Sequence, residues 1–194
     1  WFGFNAGSAL SSGGLSATAF VTTHTAGASS AMTWMLIEWL HRGKATMFGA
    51  VTGAVAGLAT ITPGAGFVSP LSALAIGGSA GILCYTALNI KGRFNYDDSL
   101  DVFGVHGVGG IAGSLAVGLF ASLAVNPDGA NGLFFGNPSA FLTQLKAVGV
   151  VAVYSLVVTF VLLKLIDRLV GLRVNEEQEV SGLDLSQHGE SGYD

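Results

Sequence analysis

Charged side chains are scarce in this chain. Asp, Glu, Lys and Arg together make up 10% of the 194 residues, while hydrophobic residues make up 51%. An average soluble domain is roughly 25% charged, so this composition excludes an ordinary water-soluble domain and is typical of a polytopic membrane protein. Lys and Arg form no basic stripe, which excludes nucleic acid as a partner.

Cysteine is almost missing as well. Cys84 is the only one, so the sequence excludes an internal disulfide and offers no cysteine cluster for a metal. Two motifs of enzymes are also absent: His-Glu-x-x-His and the phosphate-binding loop. We therefore expect no catalytic residues, no bound metal and no cofactor.

Glycine, by contrast, is abundant, with 29 residues that fall mostly within apolar segments. Small residues let the backbones of membrane helices approach closely, so this distribution indicates tightly packed helices. The chain begins with Trp1, and no charged region with a short apolar core follows, so we predict no signal peptide.

Five apolar segments are long enough to cross a bilayer, which takes about 20 predominantly apolar residues. Loops rich in Gly, Pro, Asn and Asp separate them. Residues 1–10 are too short to cross and are interpreted as the end of a truncated transmembrane helix. The predicted spans are about 15–40, 45–62, 70–90, 102–124 and 141–170, within a transmembrane domain of residues 11–171.

The orientation follows from the positions of the basic residues, which are enriched on the cytoplasmic side of membrane proteins. Arg42 and Lys44 follow the first predicted span, Lys91 and Arg93 follow the third, and Lys164, Arg168 and Arg173 mark the end of the fifth. The loops at 63–69 and 125–140 have none, and Lys146 near the last of these is the exception. We therefore predict that residues 172–194 form a cytoplasmic tail.

His106 is the candidate functional residue that stands out. It lies in the glycine-rich apolar run of residues 101–121, where it is the only ionisable side chain after Asp101. An intramembrane histidine commonly lines a water-filled path or pairs across the bundle, although a neutral imidazole that joins two helices remains an alternative. His24 is a second candidate for a pore residue, with an interhelical hydrogen bond as the more common role.

The first eight residues allow two interpretations. Trp1 and Phe4 could form an aromatic belt at the membrane interface, or they could present ring faces that attract a cation. Ser8 would add a hydroxyl acceptor. Asp101 comes directly before the predicted span that contains His106, and its carboxylate is expected to cap the N-terminus of that helix.

Three motifs taken together resemble the ammonium transporter family, Amt. They are Trp1-Phe-Gly-Phe-Asn-Ala-Gly-Ser8, Asp101-Val-Phe-Gly-Val-His-Gly107, and a tail that runs from Gly171-Leu-Arg-Val174 to Tyr193. Their order and spacing match along the whole chain. The match covers the second half of the family's eleven-helix fold, from the end of the sixth helix through the eleventh and the tail. The expected fold class is therefore an all-α polytopic bundle, one half of an inverted repeat.

The resemblance also implies a role for each candidate residue. His106 is similar to the second of two stacked pore histidines, whose partner belongs to the half that is absent here. Phe4 is similar to one of two phenylalanines that close the outer mouth, Trp1 to a pore-lining aromatic residue, and Ser8 to the hydroxyl of the outer recruitment site. Asp101 is similar to a structural aspartate at the start of the pore helix.

In the family, three subunits form a homotrimer that conducts ammonium or ammonia, with methylammonium as a further candidate substrate. The resemblance implies a transporter of the prokaryotic inner, or cytoplasmic, membrane. The alternatives are an ammonium sensor that signals through its tail and a Rhesus-type protein, against which the tail motif argues. An intramembrane enzyme is the least favoured alternative, because no second catalytic group is present.

Composition alone predicts that the acidic tail is disordered. The resemblance instead implies a regulatory tail that docks under the bundle and, in many bacteria, helps to receive a trimeric PII-type protein at the cytoplasmic face. Some relatives carry a phosphorylatable threonine near the position of Ser186, so the resemblance allows a hydroxyl switch there. The tail residues that match the family pattern are Gly171, Arg173, Glu177, Asp184 and Tyr193.

Overall fold

A computed structural model describes residues 1–94 and 96–192, and all regular secondary structure in those ranges is helical. The α-helices are α1 (Phe2–Gly7), α2 (Gly14–Arg42), α3 (Met47–Ile61), α4 (Pro70–Phe94), α5 (Val108–Phe120), α6 (Pro138–Leu169) and α7 (Glu176–Ser181). π-Helical turns occupy Phe103–Gly107 and Asp184–His188, and a 3₁₀ turn occupies Leu133–Phe135. The chain divides into two compact units, Trp1–Val148 and Gly149–Asp194.

Three of the described helices are long and apolar enough to cross a membrane: Pro70–Phe94, Phe103–Phe120 and Pro138–Leu169. The helix α2 has 29 residues but carries many polar side chains, and the apolar helix α3 has only 15. Residues 121–124, which we expected to be helical, lie beyond the end of α5, and α6 begins at Pro138 instead of residue 141. Proline favours the first position of a helix because its missing N–H would have no partner there. The arrangement of five spans stays a prediction.

A buried carboxylate joins the end of α2 to the start of α3. Glu38 is only 4% exposed, and its Oε2 accepts a hydrogen bond from the backbone N–H of Thr46 at 3.0 Å. The Thr46 hydroxyl lies 3.1 Å from the same carboxylate and accepts from Gly49 N–H at 2.9 Å. Thr46 thus caps α3, and Glu38 fixes the cap.

The core of the first unit consists mainly of small and branched side chains. One buried cluster surrounds Ile61 and Val68, and a second contains Trp34, Cys84 and Tyr85. The cysteine is therefore an ordinary packing residue, as the sequence indicated. Small residues at the helix contacts bring the backbones of α2, α3, α4 and α5 close together, which places the start of the α5 segment beside α3.

Candidate functional site

Two hydrogen bonds between side chains anchor the short helix α1. The indole Nε1–H of Trp1 donates to Thr62 Oγ1 at 2.8 Å, just beyond the end of α3. The amide of Asn5 donates to Thr23 Oγ1 in α2 at 3.0 Å, within the buried interior. Because α1 has only six residues, these long-range bonds, more than its own backbone bonds, determine where its aromatic side chains lie.

Trp1, Phe4 and His106 form one aromatic cluster, hereafter the aromatic site. The indole of Trp1 lies nearly parallel to the imidazole of His106, with an angle of 9° between the rings and 6.1 Å between their centroids. The ring of Phe4 meets the indole edge-on at 6.4 Å and 78°. Trp1 and Phe4 are 42% and 66% exposed, so the site lies on an open face of the first unit.

The π-helical turn explains why His106 reaches this face. In an uninterrupted α-helix, His106 would share a side with Gly109, three residues further on. Gly109 is buried against α3, whereas His106 is exposed, and Gly104 and Val105 occupy the buried side instead. The wider turn therefore rotates the imidazole away from the packed interface. Such π-helical turns within α-helices, called π-bulges, are frequent at functional sites.

Ser8 presents an acceptor and not a donor to the open face. Its hydroxyl donates to the backbone carbonyl of Phe4 at 2.6 Å. The hydrogen of the hydroxyl is therefore committed, while the lone pairs of the oxygen remain able to accept from a cation. This geometry suits the recruitment role that the resemblance implies for Ser8.

The structure corrects the capping role of Asp101. The carboxylate of Asp98, and not that of Asp101, accepts from the N–H groups of Val102 and Phe103, at 2.8 and 2.9 Å. Asp101 instead pairs with Lys91 near the end of α4. Its backbone is left-handed, with φ +56°, which turns the carboxylate away from the helix that follows.

The other histidines of the transmembrane segments lie apart from this cluster of rings. His24 is exposed and contacts the ring of Phe2 at 6.1 Å between centroids. His41 Nδ1 lies 2.7 Å from the hydroxyl of Tyr85. Neither contacts His106 among the described residues, so the structure brings His106 alone against Trp1.

Sequence reasoning missed Thr62 and Asp98. A threonine at a helix end is unremarkable by itself, and its bond to Trp1 spans 61 positions of the sequence. Asp98 is one of three acidic residues in the loop 97–101, and sequence alone does not say which carboxylate reaches the helix end. The sequence does signal that an acidic side chain of this loop caps the helix, but the spacing of the acidic residues does not say which one.

The tail contains local structure. Asn175 caps α7 by accepting from Gln178 N–H at 2.9 Å, and the Ser186 hydroxyl donates to the Gly182 carbonyl at 2.8 Å. Asp184 begins the second π-helical turn. Gly171 has φ +82°, a conformation that suits glycine. Of the remaining predicted tail residues, Glu177 lies exposed in α7, Arg173 precedes it, and Tyr193 lies outside the described residues.

Arg173 makes two hydrogen bonds to Glu179, from Nε at 2.9 Å and from the terminal nitrogen at 2.6 Å. This bonding lowers the pKa of the Glu179 carboxyl below its ordinary value. A carboxyl whose pKa is lower in the folded state stabilises that state above its ordinary pKa, and the contribution disappears as the pH falls through the lowered value.

We expect Arg173→Gln to raise the pKa of Glu179, because the largest cause of its depression is removed. Carbon-13 NMR of the carboxyl in the complete protein measures this titration. Arg168→Gln removes the same charge from a residue that does not bond Glu179, and it is the matched control. An identical Glu179 titration in wild type and Arg173→Gln would contradict the assignment.

These observations define a class: an all-α polytopic bundle of close-packed helices with an exposed aromatic and histidine cluster and a folded tail. The sequence profile of the Ammonium Transporter Family matches residues 1–193, and the chain belongs to that family. The fold class and the expectation that the chain is not an enzyme are confirmed.

Comparisons with individual proteins support the same family. The chain is 47% identical over 194 residues to the ammonium transporter of Bacillus subtilis, covering all of this chain and 48% of that protein. The crystal structure of Mep2 from Candida albicans superposes with a TM-score of 0.85 at 36% identity, over 92% of this chain and 41% of that one. A structure described as a sensor Amt protein matches with a TM-score of 0.84 at 29% identity, over 96% and 45%.

The chain therefore spans about half the length of the curated relatives that it matches. That share agrees with the expectation that it corresponds to one half of an eleven-helix fold.

Proposed function

We propose that the protein containing this chain conducts ammonium or ammonia across the membrane. The observation that carries the proposal is the aromatic site, in which the Trp1 indole lies nearly parallel to the His106 imidazole, with 6.1 Å between the ring centroids. Its open side faces away from the packed core, where a second wall would complete a pore. Membership of the Ammonium Transporter Family supports the same substrate.

In the proposed pathway, ammonium meets the Ser8 oxygen and the ring of Phe4 first. Aromatic faces attract such a cation by about 0.5–2 kcal/mol as water is removed. Moving an intact ion through an apolar pore is costly, whereas neutral ammonia carries only the cost of a desolvated polar group. We propose that ammonium gives its proton to water at the exposed outer mouth near Phe4 and that His106 offers ring nitrogens to the neutral ammonia that remains.

Two partners of this pathway would lie outside the chain. A second phenylalanine would close the gate over Phe4, and a second histidine would pair with His106. No described side chain forms a hydrogen bond with the His106 ring, so its nitrogens are available on the open face. This availability supports the proposal of a paired-histidine site.

We further propose a homotrimer in the prokaryotic inner membrane, with the tail on the cytoplasmic side. The orientation is supported by the basic residues near the ends of alternate spans, among them Arg42, Lys91 and Arg168. The ordered tail, with its Asn175 cap and the Arg173–Glu179 pair, offers a preformed surface for a PII-type protein.

An ammonium sensor is the second candidate, because a structure described as a sensor Amt protein covers 96% of this chain with a TM-score of 0.84. A sensor would use the same aromatic site to bind ammonium and would report occupancy through the tail. The two functions share residues, so only flux separates them.

The experiment is an ammonium-evoked current across membranes that contain the purified, complete protein, together with ammonia flux measured by internal pH. We expect saturable flux that protein-free membranes do not show. Ammonium binding without current or flux would overturn transport and favour the sensor.

A further inference from the structure

We propose that Thr62 is a positioning residue for conduction: its hydroxyl holds the Trp1 indole parallel to the His106 imidazole. The inference rests on the proposed function, in which these rings line the pathway. Thr62 lies at the end of α3 and contacts no ring nitrogen of His106, so it would act only through Trp1. Three linked observations support this role.

The first is the state of the Thr62 hydroxyl. It donates to the Leu58 carbonyl, four residues earlier, at 2.7 Å. A hydroxyl has one hydrogen and two lone pairs, so Thr62 Oγ1 can only accept from any further partner. The indole Nε1–H of Trp1, which can only donate, lies 2.8 Å from that oxygen. The two groups are therefore matched without ambiguity.

The second is the consequence for the ring. A hydrogen bond to Nε1 fixes one edge of the planar indole, and the main-chain bond from Asn5 N–H to the Trp1 carbonyl, at 2.9 Å, holds its backbone. With both ends held, the plane of the ring is set. That plane lies 9° from the plane of the His106 ring, so the bond to Thr62 sets the orientation of the indole relative to the imidazole.

The third is the weakness of the other restraints. Trp1 is 42% exposed, and its contacts with other aromatic rings are an edge-on contact with Phe4 and a parallel, offset contact with His106. Without the Thr62 oxygen, the Nε1–H would have to find water or another acceptor, and the ring could turn into the pathway. A net hydrogen bond contributes about 0.5–1.5 kcal/mol, which corresponds to a change of about twofold to tenfold.

The test compares Thr62→Val, which keeps the branched shape and removes the hydroxyl, with Thr62→Ser, which keeps the hydroxyl. In the complete protein we expect Thr62→Val to lower the maximal ammonium flux per folded protein by about twofold to tenfold. The half-saturating concentration should change less, because Ser8 and Phe4 remain. Thr62→Ser should restore most of the flux. Thr86→Val is the matched control, since that hydroxyl also bonds the carbonyl four residues earlier, at 2.7 Å.

A second measurement reads the indole directly. In protein labelled with nitrogen-15 tryptophan, the Nε1–H signal missing from Trp1→Phe belongs to Trp1. We expect this signal to move in Thr62→Val and to return in Thr62→Ser. The double variant Trp1→Phe with Thr62→Val should conduct no worse than the poorer single variant, because both changes remove the same bond.

The outcomes separate this proposal from the proposed function. An unmoved Trp1 signal in Thr62→Val, or a moved signal with unchanged flux, would overturn the positioning role. Additive losses in the double variant would also overturn it. If the wild type carries no ammonium flux, the proposed function fails and the proposal for conduction fails with it. The indole signal would still report whether the bond exists.

Discussion

Replacement of His106 by alanine is expected to reduce ammonium flux by about tenfold or more, or to abolish discrimination against potassium. A buried polar molecule that loses one hydrogen-bond partner costs roughly 1–3 kcal/mol, and each 1.4 kcal/mol on a barrier is about tenfold in rate. His106 is the one histidine whose ring lies against Trp1 in the described structure. Currents from the reconstituted complete protein, with ammonium and then potassium, measure both effects.

His24→Ala is the matched control for this prediction. It also removes an imidazole from a helix of the first unit, but one that contacts Phe2 instead of Trp1. We expect His24→Ala to retain the flux and the selectivity of the wild type. Equal losses in the two variants would indicate a general effect of removing a histidine, and unchanged conduction in His106→Ala would remove His106 from the mechanism.

The second large effect is expected at Gly113, where α5 crosses α3. A Cβ placed on this glycine would overlap the backbone carbonyl of Thr60, and it would also lie 3.2 Å from Pro63 Cδ. A backbone cannot give way as the end of a flexible side chain can. We expect Gly113→Ala to destabilise the protein by about 3 kcal/mol, the upper part of the usual range for overpacking, and to lower its midpoint of thermal unfolding in detergent.

Gly110→Ala on the same helix provides the control, because no atom lies within 4 Å of the position of its Cβ. Alanine is favoured over glycine in a helix interior by roughly 0.5–1 kcal/mol, so this variant should be as stable as the wild type or more stable. A similar midpoint for both variants would show that α3 and α5 are not in backbone contact at Gly113.

The helices were largely predictable, and the details of the site were not. Apolar segments bounded by turn residues predicted α4 and α6 to within a few residues, because length and hydropathy decide membrane-spanning helices. The choice of His106 as a candidate was also possible from sequence, because an ionisable side chain is costly in an apolar run and is rarely found there without a function. Both inferences depend only on the hydropathy and charge of residues that are adjacent in the sequence.

The contacts that arrange the site depend on residues that are distant in the sequence. The bond from Trp1 to Thr62 spans 61 positions, and neither residue predicts the other. The choice of Asp98 over Asp101 as the cap depends on a left-handed φ at Asp101 and on Lys91 in α4. Local propensity cannot supply either fact. The tail was predicted as disordered from composition alone, yet Asn175 and Arg173 give it local structure.

The π-helical turn at Phe103–Gly107 behaves as a single residue inserted into an α-helix. The length of this stretch therefore matters as much as its chemistry. Shortening it by one residue would restore α-helical phase and carry His106 toward the side of Gly109, even with the imidazole itself unchanged. A survey of substitutions at fixed length would not detect this dependence. Insertions and deletions, in contrast, would change the direction in which His106 points relative to the residues of α5.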